Sequence, residues 1–117
     1  MKYLSASTGD WQQCPGYRKK ILLTEDDLDD AGALVQLIEI AAHTFVADHY
    51  HEHCTEVFHV LEGRGIFVID GKTFALDVGD TLTCRPREVH STQNPGDAPF
   101  RYVVFKTNAK AGDLEWI

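Results

Sequence analysis

The sequence predicts an all-β sandwich or barrel, and three observations carry that reading. Short runs rich in apolar and β-branched residues recur along the chain, about eight or nine of them, with turn residues between. Asp70-Gly71 stands between two alternating runs, the strongest short-range hairpin signal. No stretch sustains a helical period long enough to build a long helix.

Met1 to Gly16 is irregular, with Trp11 and the turn pair Pro15-Gly16, and reads as an arm that lies over the domain or pairs with an edge strand. Residues 17–117 then form one domain. Tyr17 to Leu23 is a strand, and Thr24 to Asp30 is an acidic, solvated connector with room for one helical turn. It lacks the glycine and distal Glu of a calcium loop. Ala33 to Ala41 has Leu34, Gln36, Ile38 and Ile40 on one side and Val35, Leu37, Glu39 and Ala41 on the other, so it suits a strand with mostly apolar faces.

Val57 to Leu61 follows, then the turn Gly63-Arg64-Gly65, then Ile66 to Ile69 and Thr73 to Leu76 as the two arms of the hairpin. Gly79-Asp80 opens the strand Thr81 to Arg85, and Pro86, with no N–H to donate, marks where that strand leaves its ladder. His90 to Gln93 is short, Asn94 to Asp97 is a turn, and Phe100 to Thr107 is a last strand rich in aromatic and β-branched residues. The tail is expected to pack through Leu114, Trp116 and Ile117.

Composition narrows the function classes. A formal charge of −7 repels a phosphate backbone, and Arg18-Lys19-Lys20 is too short to offset it, so no nucleic-acid partner is expected. No segment approaches the roughly 20 apolar residues of a membrane-spanning helix, and Met1 to Trp11 lacks a signal-peptide core, so the expected location is cytoplasmic, with no membrane partner. Cys14, Cys54 and Cys84 form no CxxC pair and leave one unpaired under any disulfide scheme, which suits a reducing compartment.

The chemistry is concentrated in His49 to Gly63. Of six histidines in 117 residues, His49, His51, His53 and His59 fall within eleven positions, beside Glu52, Glu56 and Cys54. Imidazole and carboxylate are the usual ligands of a catalytic divalent metal, and alternation places His49 and His51 on one face of a strand. A competing register pairs His51 and His53 with Glu56. A metal-free pocket of hydrogen-bonded histidines is the other reading, although such polar groups in a barrel interior each require a partner.

These residues resemble the motifs of the cupin superfamily. Its first motif runs Gly, five residues, His-x-His, three or four residues, Glu, six residues, Gly. His49, His51, Glu56 and Gly63 match it, and His43 replaces the opening glycine. In the second, Gly79, His90 and Asn94 stand at the family spacing, while Arg85 occupies the proline position and Arg87 the second glycine. The resemblance covers Gln36 to about Lys106 and implies a jelly-roll, or double-stranded β-helix, barrel. It also implies His49, His51, Glu56 and His90 as ligands of a divalent transition metal: Fe, Mn, Zn, Ni or Cu.

Phe58, sharing the face of Glu56, is expected to wall the pocket, with His53 and Cys54 as further neighbours. By analogy with cupin dioxygenases, isomerases and decarboxylases, the resemblance implies a metal-dependent enzyme acting on a small molecule. The alternative is a non-catalytic small-ligand binding or sensor module. Single-domain cupins commonly resemble homodimers, built by sheet packing or exchange of the N-terminal arm.

Overall fold

Strand after strand in the computed structural model, which describes residues 1–117, buries every second side chain. The elements are β1 (Gln12–Cys14), β2 (Tyr17–Leu23), α1 (Glu25–Leu28), β3 (Leu34–Ile40), β4 (Thr44–His51), β5 (Thr55–Glu62) and β6 (Gly65–Ile69). They continue with β7 (Lys72–Leu76), β8 (Thr81–Cys84), β9 (His90–Asn94), β10 (Phe100–Thr107) and β11 (Leu114–Trp116). In β5, Glu56, Phe58 and Val60 are buried while the residues between them are not, the period-2 pattern of a strand with one face on a core.

The strands form two antiparallel sheets facing each other, one ordered β1-β2-β3-β10-β5-β8 and the other β11-β4-β9-β6-β7. Between them lies a core of twelve residues, among them Ile40, Val60, Phe67, Phe100, Tyr102 and Val104. This is the jelly-roll architecture expected from the sequence, and no helix is long and apolar enough to cross a membrane. Gly65 is fixed by packing, because a Cβ there would strike the Phe100 ring.

The Asp70-Gly71 hairpin forms between β6 and β7, both turn residues having positive φ, 46° and 81°, as a two-residue type I′ turn requires. The acidic connector contains the one-turn α1, where Asp27 Oδ2 accepts the Thr24 N–H at 2.9 Å. Residues 12–14 pair with β2, and the rest of the arm crosses the outer face of the large sheet. There Trp11 lies 4.2 Å from the Arg18 guanidinium, and Lys20 Nζ donates to the Ala6 carbonyl at 3.0 Å.

Two strands exceed the sequence expectation. β4 runs from Thr44, but a bulge between Val46 and His49 interrupts its alternation, so its first half carries no clean period-2 signal. The tail does more than pack: Leu114, Glu115 and Trp116 pair with His51, Tyr50 and His49, which makes β11 the edge strand beside the histidines.

Candidate metal centre

Register explains how distant residues meet. β4 carries His49 and His51, and its neighbour β9 places His90 directly across from His49. Glu56 comes from β5 in the opposite sheet, where Cys84 is its cross-strand partner. Facing sheets therefore bring three imidazoles and one carboxylate together inside the sandwich.

The centre of this group is one oxygen. Glu56 Oε1 lies 3.3 Å from His51 Nε2 and 3.4 Å from His90 Nε2, yet it is fully buried and has no hydrogen-bond partner. The His49 and His90 rings are 4.1 Å apart between centroids, and His51 stands 6.0 and 6.2 Å from them. His49 Nδ1 lies 2.8 Å from the Ala47 carbonyl and His90 Nδ1 3.0 Å from that of Glu88. Since a carbonyl only accepts, these Nδ1 atoms carry the protons and leave Nε2 available.

The donor chemistry fits a divalent metal. Two donors each about 2.1 Å from a common ion stand about 3.0–3.4 Å apart, the spacing found around Glu56 Oε1. A cation would also give the unpartnered oxygen its missing contact. The side chains are not drawn into a finished cage, since no three His, Cys, Asp or Glu groups stand at ligation spacing together.

Electrostatics follow from burial and from the neighbours. Burial alone would raise Glu56; contact with His90 and the charges of Lys106, His51 and His90 outweigh it and hold the carboxyl at about 2. Burial, then the neighbouring His90, lowers His49 to about 4, and burial also lowers His51. His90 moves the other way, to about 10, because Cys84 and Glu56 outweigh its desolvation. Without a metal, His90 is thus the charged partner of the buried carboxylate, and its Nε2 becomes available only when that proton is given up on metal binding, while His49 and His51 are already neutral.

The four residues line a cavity of about 260 Å³. Phe58 and Cys54 also line it; His53 does not, being exposed on the loop after β4. That corrects its placement as a pocket neighbour: the loop turns its side chain outward while its backbone N–H is tied to Asp113. Cys54 is 2% exposed and its thiol, pushed up to about 12 by burial and then by Glu56, donates to the Thr55 carbonyl at 3.4 Å. His59 faces away and meets Thr81 Oγ1 at 2.8 Å, while Arg85 is exposed and Cys84 buried. His43 and Arg87, standing at glycine positions of the motifs, take φ of 58° and 68°, the left-handed backbone that glycine adopts without strain.

Other residues at the site carried no sequence signal. Asp113, 7% exposed, accepts the N–H groups of His53 and Cys54 at 2.9 and 3.2 Å, and its Oδ2 lies 3.9 Å from His51 Nδ1. Trp116 packs on His49 with ring centroids 5.0 Å apart. Cys84 Sγ is 3.2 Å from His90 Nδ1. Strand parity marks Lys106 as sharing a face with Glu56, but only once β10 is known to pair with β5.

A family model described as a cupin domain matches residues 36–106. Among curated proteins, the oxalate-binding protein of Thermotoga maritima is 26% identical over 83 residues, covering 71% of this chain and 69% of that one. The Bacillus subtilis quercetin 2,3-dioxygenase is 44% identical over 46 residues, 39% of this chain but 14% of the dioxygenase. A Methanocaldococcus jannaschii protein is 29% identical over 67 residues, 57% of this chain and 52% of that one, so the chain spans about half of this relative and about a seventh of the dioxygenase.

Among solved structures, the polyketide cyclase RemF of Streptomyces resistomycificus superposes with a TM-score of 0.84 at 18% identity, covering all of this chain and 85% of that one. A predicted oxalate decarboxylase of Thermotoga maritima gives 0.82 at 19% identity, covering 91% of this chain and 98% of that one. At these identities the likeness concerns the fold.

Proposed function

The chain belongs to the cupin family, and from that premise we propose that it is a metal-dependent enzyme acting on a small molecule. His49, His51, Glu56 and His90 would hold a divalent first-row metal. The observation that carries this reading is the buried Glu56 oxygen, without a hydrogen-bond partner and flanked by two imidazole nitrogens. When bound, such an ion supplies Lewis-acid or redox chemistry at positions the protein leaves open. The relatives named as a dioxygenase, a predicted decarboxylase and a cyclase represent different chemistries on one fold, so reaction type depends on the cavity rather than on the scaffold.

The chain's own groups supply positioning and a dry surround. Ile38, Phe58 and Val104 wall the cavity with apolar surface that excludes water from the reacting face. Carbonyls at Ala47 and Glu88 fix the ring orientation of His49 and His90. The protein works as a homodimer, and Leu61 and Phe105, exposed on the outer face of adjacent strands β5 and β10, support sheet packing as the contact; a monomeric mass in solution would refute it.

The metal reading is tested on tag-free protein reconstituted separately with Fe, Mn, Zn, Ni and Cu. About one equivalent is expected in wild type, a loss of binding in His90→Ala and Glu56→Ala, and no change in His59→Ala, whose ring faces away. Equal metal content in all four proteins would overturn it. Stabilisation by a small molecule without turnover would replace the enzyme with a binding module on the same site.

A further inference from the structure

The cavity over the proposed metal set concentrates cationic groups in a chain that has few. The chain carries 18 acidic and 11 basic residues, with lysines only at positions 2, 19, 20, 72, 106 and 110. Three of them, Lys19, Lys106 and Lys110, line this cavity. Elsewhere cations are largely engaged: Lys2 pairs with Asp27, Lys20 donates to the Ala6 carbonyl, and Arg18, Arg64, Arg87 and Arg101 all hold carboxylates. The three cavity lysines make no ion pair and donate no hydrogen bond.

Register places the first of them beside the centre. Lys106 on β10 stands directly across from Glu56 on one side and Leu34 on the other, so its side chain shares the inward face with the carboxylate. Its charge helps hold both Glu56 and His51 below their ordinary values, yet the ammonium is not within ion-pair distance of Glu56. Lys19 on β2 stands across from Ile38, itself across from Tyr102, and so reaches the far wall. Lys110 belongs to the tail that closes the side of the cavity.

We infer that the molecule held in this cavity is a small organic anion, its acid group received by Lys106 beside the centre and its body laid against Ile38, Tyr102 and Val104. Lys19 and Lys110 draw it in. Glu56 and Asp113 also line this partly enclosed, apolar-walled space, but they are turned to the histidines and to the loop after β4, so no carboxylate stands within ion-pair distance of the three ammonium groups and an anion would supply that contact. The remainder of the chain, net negative, repels anions at long range, so attraction is confined to this opening. The inference rests on the reading that this cavity is the working site, and it adds the ligand's charge class.

Calorimetry on metal-reconstituted protein with two matched pairs, benzoate against benzamide and phenyl phosphate against phenol, tests it. Metal content is measured on the same samples. The anionic member of at least one pair is expected to bind about tenfold or more tightly than its neutral partner, and the pair that shows this separates carboxylate from phosphate ligands. Lys106→Gln should abolish the preference with metal content unchanged, and Lys72→Gln, on an exposed strand position, should keep it.

Equal binding of neutral and anionic members, no binding by any of the four, or a preference that survives in Lys106→Gln would overturn the inference. A Lys106-dependent preference in wild type that holds no metal would sustain the inference and remove the metal reading instead.

Discussion

Two halves of the same interior contrast sharply, although the same strands build both. β5 gives Val60 and Phe58 to the apolar half and Glu56 to the polar half; β10 gives Phe100 and Tyr102 to one and Lys106 to the other; β9 gives Thr92 to the middle and His90 to the site. In the apolar half the rings of Phe67, Phe100 and Tyr102 pack at centroid separations of 5.2–6.2 Å. In the polar half a carboxylate oxygen is left without a partner. Stability and chemistry are thus divided along each strand and not between elements, so each half should yield to its own mutations.

The largest effect is expected from emptying the apolar half. Phe100 is fully buried and does not line the cavity. Its replacement by alanine should cost about 3–5 kcal/mol of stability, read by urea unfolding. Metal affinity of the folded fraction should stay at the wild-type value, and a parallel loss of affinity would show that the two halves are not separable.

An intermediate effect is expected where the tail braces the polar half. Asp113 ties down the loop after β4 through two backbone N–H groups and faces His51 Nδ1 from behind. In Asp113→Asn one acceptor and the charge behind His51 are lost. Metal affinity should fall about 10–100-fold, or roughly 1.4–2.7 kcal/mol, measured by competition with a chromogenic chelator. Unchanged affinity would reduce Asp113 to a loop anchor.

How much of this contrast was legible in the sequence depended on whether it was local. Alternation puts Glu56 and Phe58 on one face of β5 and His59 on the other, whereas β3 and β6, apolar on both sides, show a strand without showing which face is inward; the Asp70-Gly71 pair names its hairpin without help from tertiary structure. The spacing from His49 to Glu56, and His90 eleven residues after Gly79, mark residues that do converge. β4 was obscured by the bulge at Val46, which shifts parity just before the histidines. Asp113 and Lys106 were silent, and Trp116 was marked only as a packing residue of the tail, because their place beside the histidines depends on which strands pair. His53 was misplaced because it lies beyond the end of β4 at His51, where strand alternation no longer dictates which way a side chain points.

The smallest effect separates the histidines of the polar half by sign. In the metal-free protein His49 is lowered to about 4 from its ordinary 6.5 by burial and then by His90. A depressed histidine contributes stability that is present above its unfolded value and is lost as pH falls through 6.5 toward 4. His90, held up to about 10, contributes oppositely: its stabilisation is complete below 6.5 and is lost as pH rises through 10. The two windows meet and oppose each other in wild type only around pH 6.5, with His49 dominating below it, and Glu56, lowered to about 2, enters only in stronger acid. His49→Gln removes one side of that balance. Between pH 7 and 5.5, with a chelator present, the variant should gain about 1 kcal/mol relative to wild type, read as the difference between their urea midpoints. A difference independent of pH would mean that His49 titrates alike in the folded and unfolded chain, and that the polar half is more open to water than its burial implies.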